Sequence, residues 1–191
     1  MLEKEIFSRH AQPGKRIAVV GTSGSGKTTM ARRLAARLGV PHIELDELHW
    51  GPNWTEERDD VFRERVDIRL RGDGWTTDGN YTAVRDIVWA RADTVVWLDY
   101  SLPLILWRLT RRTFSRAVLN EEIWHGNKES LRTHFFTKDS LYLWVFQTYK
   151  KRRREYPVLF ARPEYTHLTK IRLRSVGEAQ RWLESVRRDA Q

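Results

Sequence analysis

One eight-residue segment, Gly21-Thr22-Ser23-Gly24-Ser25-Gly26-Lys27-Thr28, constrains this chain more than any other part of its sequence. It matches the pattern G-x-x-x-x-G-K-[ST], follows the apolar run Arg16–Val20 and leads into the amphipathic stretch Thr28–Leu38. Glycines let a loop curl with its backbone N–H groups pointing inward, and a helix that follows adds the positive end of its dipole. The sequence therefore predicts a strand, a phosphate-binding loop and a helix in this order.

The residue types in this segment are suited to nucleotide phosphates. The Lys27 side chain is long enough to reach β- and γ-phosphates, and the Thr28 hydroxyl is a suitable ligand for Mg²⁺. A Gly/Ser-rich turn without a ligand is the alternative, and the flanking strand and helix argue against it. The residues predicted to bind the nucleotide are Gly21, Ser23, Gly24, Ser25, Gly26, Lys27, Thr28 and Thr29.

Apolar runs typical of buried parallel strands recur along the chain. Each is short and nearly continuous, as expected where both faces of a sheet are covered. Helical patterns separate them, and one of these, Glu56–Leu70, begins after Thr55, a predicted N-cap residue. The predicted strands are Arg16–Val20, His42–Leu45, Trp75–Thr77, Thr94–Leu98 and Leu168–Leu173. This alternation predicts a doubly wound α/β domain with three α/β/α layers and about five mainly parallel strands.

Composition narrows the class of protein further. With 191 residues, 40% of them hydrophobic, the chain is long enough for one packed domain, which we expect to span 1–191. It has no cysteine, which excludes disulfides and thiol catalysis. No stretch approaches the roughly 18 apolar residues of a membrane span, so we expect a cytoplasmic protein with no membrane partner. The formal net charge of +9 favours acidic partners such as nucleotides or nucleic acid.

The segment Ser115–Pro157 differs from the rest because it is long and has no strand pattern. We interpret it as a helical insertion between the fourth and fifth strands. It holds the basic run Lys150–Arg154, close to Trp144, Phe146 and Tyr149. Basic residues beside aromatic ones can follow a phosphate backbone and stack on bases, which favours nucleic acid as a partner. The aromatic residues also have helical spacing, so packing in the core is the alternative.

Two acidic residues follow predicted strands, and ligands gather at the carboxyl ends of strands in open α/β sheets. Asp78 follows the third strand and is a candidate ligand for Mg²⁺, directly or through water, although Asp-Gly-Asn is also a common turn. Asp46 ends the second strand and is a candidate for binding a phosphate acceptor, with helix capping as the alternative. His49 is a weaker candidate, since a lone histidine more often packs in the structure.

Several blocks in this order resemble the nucleoside-monophosphate-kinase-like branch of P-loop proteins. Within that branch the chain is most similar to a small adenylate-kinase-related group labelled DNA topology modulation proteins. The blocks are Gly21–Thr28, Leu45–Trp50 and Gly74–Tyr81. In adenylate kinases the last block carries Asp-Gly, an aromatic residue, Pro and Arg, whereas here Thr82 follows Tyr81. This departure weakens the case for a nucleoside monophosphate as the acceptor.

The resemblance implies a P-loop kinase-like fold with a helical lid over about 115–157, and it implies ATP and Mg²⁺ as cofactors. Arg108 and Arg112 are four residues apart and share a helical face. By resemblance, Arg108 lies against the base or phosphates of the nucleotide and Arg112 meets the transferring phosphoryl group; a solvated basic face is the alternative. By resemblance, too, backbone at Ser175 wraps the adenine and Asp46 deprotonates the acceptor, although Ser175 equally suits an N-cap.

The sequence thus predicts an ATP-dependent kinase that transfers the γ-phosphate to a nucleotide or another small hydroxyl compound. Lys27, Asp46, Arg108 and Arg112 are the predicted catalytic residues, and Thr28 and Asp78 the predicted metal ligands. The alternative function is a nucleic-acid-associated ATP-binding regulator or ATPase, which the basic charge favours. A GTPase is excluded because Ser130 stands where the guanine-recognition signature beginning at Asn127-Lys128 requires an Asp.

Overall fold

The computed structural model describes residues 6–8, 11–119 and 141–187. The strands are β1 (Arg16–Gly21), β2 (His42–Glu44), β3 (Trp75–Asp78), β4 (Thr94–Leu98) and β5 (Thr169–Leu173). They form one sheet in the order β2-β3-β1-β4-β5, and all four pairings are parallel. The central strands β1 and β4 are buried along nearly their whole length, which explains their continuous apolar sequences. The predicted five-stranded parallel sheet is confirmed.

Helices cover both faces of this sheet. They are α1 (Lys27–Leu38), α2 (Leu45–His49), α3 (Asp59–Arg69), α4 (Arg85–Arg91), α5 (Leu102–Leu119), α6 (Leu141–Phe160) and α7 (Val176–Ser185). Successive strand side chains point to opposite faces, so Ile17 and Val19 of β1 pack with α1, α5 and α7, while Ala18 and Val20 pack with α3 and α4. These two apolar clusters give the three predicted layers.

Helix α6 contacts both layers. Val145, near its start, packs in the cluster with α1 and α5, whereas Tyr156 and Phe160, near its end, pack in the cluster with α3 and α4. The middle of α6 therefore passes across the carboxyl edge of the sheet, where the phosphate-binding loop lies.

A buried ion-pair cluster fastens α6 to this edge. Asp99, which follows β4 and is 4% exposed, accepts a hydrogen bond from Nε of Arg153 at 2.7 Å and from Nη2 of Arg172 at 2.7 Å. The Arg172 guanidinium also lies over the Trp97 ring, 4.3 Å from its centroid. Asp99 thus has a structural role in the fold, joining β4, β5 and α6.

The predicted strands and the first helix agree with the structure, but the predicted start of α3 is wrong. Thr55 does not cap this helix, because its hydroxyl donates to the Pro52 carbonyl at 2.8 Å within a short 3₁₀ turn, Pro52–Trp54. The helix begins four residues later, with Arg58 in the N-cap position and no side-chain cap. The Thr55 hydroxyl is therefore bonded within the turn, whereas the sequence pattern predicted that it caps the helix.

The inserted segment is helical where the structure describes it. Residues 115–119 continue α5 and residues 141–157 belong to α6, so both predicted boundaries fall inside helices rather than at their ends. The motif Trp124–Ser130 lies outside the described residues. That this segment acts as a lid stays a prediction.

The basic run in α6 is partly occupied by contacts within the protein. Arg152 is 8% exposed and lies over the Trp144 ring, while Arg153 pairs with Asp99. Trp144 and Phe146 are 42% and 49% exposed, so the interpretation of these two aromatics as core residues is wrong. In the described part of the chain, no helix is both long and apolar enough to cross a membrane.

We predict that Asp99→Asn lowers the free energy of unfolding by about 3–5 kcal/mol, because it leaves two arginines, one of them buried, without their shared charge partner. Urea unfolding followed by tryptophan fluorescence measures this loss. The matched control is Asp60→Asn, which removes the exposed pair with Arg58 and is expected to leave the unfolding midpoint nearly unchanged. Equal midpoints for the two variants would show that the Asp99 cluster does not stabilise the fold.

Candidate active site

A cleft of about 670 Å³ lies at the carboxyl edge of the sheet. It is bounded by the phosphate-binding loop, the end of β2, helix α5 and the start of α7. Its lining residues are Gly24, Ser25, Gly26, Lys27, Thr28, Thr29, Met30, Arg32, Arg33, Glu44, Asp46, Leu98, Tyr100, Arg108, Arg112, Val176, Ala179 and Gln180. The cleft is large enough for a nucleotide together with a small acceptor.

The loop after β1 has the backbone shape that its glycines allow. Gly24 and Gly26 adopt φ values of +84° and +91°, in the region where other residues are strained. A Cβ at Gly24 would also lie 2.9 Å from the Ile105 carbonyl oxygen, so the loop packs tightly against α5. Gly26 is the N-cap of α1 and supplies no side-chain cap, which leaves the first N–H groups of the helix available to an anion.

Lys27 lies among charged groups of both signs. Burial lowers the pKa of its ammonium to about 8, and the nearby guanidinium groups of Arg152 and Arg112 lower this pKa as well. The carboxylates of Asp78 and Asp46 act in the opposite direction. A phosphate bound against this ammonium would replace the missing hydration and favour its charged form.

Thr28 and Asp78 are brought together as the sequence predicts. The Thr28 hydroxyl donates to Oδ2 of Asp78 at 2.7 Å, and Nε2 of His42 lies 2.8 Å from Oδ1. Hydroxyl and carboxylate oxygens suit Mg²⁺, and His42 fixes the orientation of the carboxylate. Among the described residues, no three His, Asp or Glu side chains cluster to hold a metal by themselves. Thr28 and Asp78 would therefore share a Mg²⁺ with nucleotide phosphates and water.

Asp46, predicted to end the second strand, lies instead in the first turn of α2, because β2 already ends at Glu44. Its side chain lines the same cleft and is held by Tyr81. The Tyr81 hydroxyl donates to Oδ1 of Asp46 at 2.7 Å, and it also has a hydrogen bond with Trp50. An indole N–H can only donate, so the Tyr81 oxygen accepts from Trp50 and its proton points to Asp46. Burial raises the pKa of Asp46, while the Tyr81 hydrogen bond and the Lys27 charge lower it.

The predicted arginines reach the cleft from α5. Arg108 donates to the Ser25 carbonyl at 3.1 Å and lies over the Tyr100 ring, 5.4 Å from its centroid, while Arg112 is half-buried in the lining. Arg111 instead stacks on the exposed Trp107 ring. The interpretation of Arg108 and Arg112 as a merely solvated face is thus disfavoured, because both side chains line the cleft.

Other predicted residues lie at the margin of the cleft. Gly21 ends β1 and is buried, and neither Gly21 nor Ser23 is part of the described lining. Ser175 is the N-cap of α7, where its hydroxyl accepts from the Glu178 N–H at 3.1 Å. Its neighbour Val176 lines the cleft instead.

Sequence reasoning missed Arg152 and Asn80 as site residues. Arg152, in the middle of α6, is near enough for its charge to lower the pKa of Lys27, although it is not among the described residues that line the cleft. A signal for it existed in the sequence, because Val145, Arg152 and Tyr156 are spaced as one face of a helix. In the structure all three are buried. Asn80 gave no such signal, since its partners lie 59 and 76 residues away in the sequence.

The parallel sheet, the glycine loop and the lysine facing a carboxylate across one cleft define a P-loop protein with a kinase-like fold. A family model described as "AAA domain" matches residues 17–117, which is just over half of the chain and runs from β1 into α5. The chain belongs to this AAA domain family.

Three curated relatives share part of this sequence. YqaC of Bacillus subtilis (strain 168) is 29% identical over 131 residues, which are 67% of this chain and 72% of that protein. A putative adenylate kinase of Thermococcus kodakarensis is 32% identical over 114 residues, 56% of this chain and 62% of the relative. A shikimate kinase of Gloeobacter violaceus is 30% identical over 120 residues, which are 56% of this chain and 68% of that protein. The chain thus spans less than two thirds of the adenylate kinase relative.

Solved kinase structures share the fold. A shikimate kinase from Bacteroides thetaiotaomicron has a TM-score of 0.53 at 17% identity, covering 89% of this chain and 94% of that one. A gluconokinase from Sinorhizobium meliloti 1021 has a TM-score of 0.52 at 18% identity, covering 91% and 94%. At this level of identity the likeness concerns the fold alone.

We predict that affinity for a non-hydrolysable ATP analogue is constant up to about pH 8 and then falls about tenfold per pH unit, because the phosphates bind the charged form of Lys27. Calorimetric titrations between about pH 7 and pH 10 measure this slope and the accompanying proton uptake. In the control Lys27→Arg, the guanidinium stays charged and the decline is expected to vanish. The same decline in both proteins would assign it to another group.

We also predict that Tyr81→Phe raises the pKa of Asp46, because it removes the hydrogen bond that stabilises the carboxylate. Carboxyl ¹³C NMR in the presence and absence of the substitution measures this pKa without any acceptor. Tyr165→Phe, which alters a tyrosine packed against Trp89, is the matched control and leaves the Asp46 titration unchanged. An unchanged titration in Tyr81→Phe would show that this hydrogen bond does not tune Asp46.

Proposed function

We propose that this protein is an ATP-dependent kinase that transfers the γ-phosphoryl group to a hydroxyl of a small acceptor. One observation carries the proposal: Lys27 of the phosphate-binding loop and Asp46 in the first turn of α2 line the same cleft and influence each other's charge. A site that only binds nucleotide has no need of a held carboxylate on the far side of the cleft, so Asp46 favours a reaction at the γ-phosphate.

On the nucleotide side of the cleft, backbone N–H groups and cationic side chains would bind the phosphates. The N–H groups at the start of α1 and the Lys27 ammonium would hold the β- and γ-phosphates. Thr28 and Asp78 would hold the Mg²⁺, which neutralises phosphate charge when bound. Arg108 and Arg112, which line the cleft, would stabilise the charge that develops on the transferring group.

On the acceptor side, Asp46 acts as the general base. The acceptor hydroxyl oxygen attacks the γ-phosphorus, a new O–P bond forms, and the bond between that phosphorus and the β–γ bridging oxygen breaks to release ADP. The hydroxyl proton passes to the free oxygen of Asp46, because Oδ1 already accepts from Tyr81. Burial raises the pKa of this carboxyl, which makes it a better base than an exposed aspartate.

We propose a small hydroxyl compound as the acceptor. Tyr81, which stands where adenylate kinases carry an aromatic residue, directs its hydroxyl to Asp46, and the Pro-Arg pair that follows there in adenylate kinases is absent. Relatives named putative adenylate kinase and shikimate kinase support phosphoryl transfer as the reaction class. The engagement of Arg152 and Arg153 within the protein disfavours the basic run as a nucleic-acid surface, and the topology modulation label stays a prediction.

The test is ADP release from Mg-ATP with separate pools of hydroxyl compounds, nucleoside monophosphates and oligonucleotides. We expect the hydroxyl pool to stimulate release at least tenfold, and Lys27→Ala to abolish it. Asp46→Asn should bind ATP within about twofold of the wild type, yet lose about a hundredfold or more in transfer, because it lacks only the base. Stimulation by oligonucleotides that gain no phosphate would instead assign a nucleic-acid-linked ATPase.

A further inference from the structure

The side chain of Asn80 lies at the junction of the phosphate-binding loop, β3 and α6. Its Nδ2 donates to the Gly21 carbonyl at 2.7 Å, and its Oδ1 accepts from the Gly21 N–H at 3.1 Å. Backbone pairing between β1 and β3 ends at Val19 and Asp78. The Asn80 amide therefore imitates one further residue of the ladder, at the point where the β3 backbone has left the sheet.

A third hydrogen bond joins this pair to α6. The Tyr156 hydroxyl donates to the same Asn80 Oδ1 at 3.0 Å, and Tyr156 is 2% exposed. One helical turn before Tyr156 on α6 is Arg152, whose charge acts on Lys27. The Asn80 Oδ1 thus accepts hydrogen bonds both from Gly21, which begins the phosphate-binding loop, and from Tyr156 on the helix that carries Arg152.

The chemistry of these three bonds requires an amide. Gly21 presents a donor and an acceptor side by side, so its partner must accept and donate at once, which Asn does and an ionised Asp cannot. An aspartate would place a carboxylate oxygen against the Gly21 carbonyl. A leucine of similar shape would leave the buried Gly21 groups and the Tyr156 hydroxyl without this partner.

We propose that Asn80 is a positioning residue that sets the backbone of the phosphate-binding loop and couples it, through Tyr156, to the helix bearing Arg152. The inference rests on the proposed function only in requiring that the loop bind a nucleotide. Asn80 touches neither phosphate nor acceptor in this role. Its amide has hydrogen bonds with both Gly21 and Tyr156 of α6. When phosphates order the loop, these bonds therefore order α6 as well.

The test uses the full chain, with ADP as the probe and no acceptor. Calorimetry gives the affinity, and hydrogen exchange with mass spectrometry gives the protection of residues 145–160 with and without ADP. We expect wild-type protein to gain protection in 145–160 on binding ADP. Asn80→Leu should weaken ADP binding about tenfold, the effect of one to two lost hydrogen bonds. Tyr156→Phe should keep its ADP affinity within about threefold but lose the gain in protection.

The matched control removes a buried hydroxyl at the opposite edge of the sheet. In Thr94→Val the bonds to Gly14 N–H and Asp93 are lost, so this variant is destabilised without any contact with the site. It should bind ADP like the wild type and keep the gain in protection. Should Asn80→Leu not fold, Tyr156→Phe decides the coupling to α6. It removes one oxygen, whose other hydrogen bond, with Arg152, lies within α6 and does not join the helix to the loop.

Two results would overturn the inference, and they are distinguishable from failure of the proposed function. If the wild type binds ADP and Tyr156→Phe still gains full protection in 145–160, Asn80 does not couple the loop to α6. If Asn80→Leu binds ADP as tightly as the wild type, the amide does not set the loop. Absence of ADP binding by the wild type itself would overturn the proposed function and this inference together.

Discussion

The parallel pairing of β1 with β3 is the interaction on which the site depends. In its register Val19 lies opposite Asp78, so the strand that leads into the phosphate-binding loop ends beside the strand that carries the acidic residue. The Thr28 hydroxyl can then reach Asp78 from the first turn of α1, and β2, on the other side of β3, presents His42 to the same carboxylate. A shift of one residue in this register would turn Asp78 to the opposite face and separate it from Thr28.

Helix α6 brings two arginines, Arg152 and Arg153, to this edge of the sheet. Because it packs in one apolar cluster near its start and in the other near its end, its middle must cross above the strand ends, and this brings Arg152 close to Lys27. The crossing is held by the pair between Arg153 and Asp99, so adjacent residues of the basic run have different roles. Arg153 fastens the helix to the end of β4, whereas Arg152 lowers the pKa of the Lys27 ammonium by its charge.

The strands and the phosphate-binding loop could be predicted because their signals are local. Continuous β-branched runs and closely spaced glycines are visible within windows of a few residues. The contacts of Asn80 could not be predicted, because the register of the sheet and the path of α6 place Gly21 and Tyr156 beside it. The prediction that Thr55 caps a helix was wrong because a capping residue and a turn residue look alike in sequence. Here the Thr55 hydroxyl donates to the Pro52 carbonyl. Local motifs, and the meeting of Thr28 with Asp78 at the carboxyl ends of strands, were therefore predictable, whereas the long-range contacts of Asn80 were not.

The charges in the cleft explain how one site can serve both a phosphate and a proton. The Lys27 ammonium lowers the pKa of Asp46, and the Asp46 carboxylate raises that of Lys27, so each group stabilises the charge of the other. In the proposed reaction the nucleotide phosphates offset the Lys27 charge, which removes part of the stabilisation of the Asp46 carboxylate and makes it a stronger base. The nucleotide that supplies the phosphoryl group thereby also prepares the residue that accepts the proton. This effect of the nucleotide on Asp46 follows from the proximity of two opposite charges in a partly buried cleft.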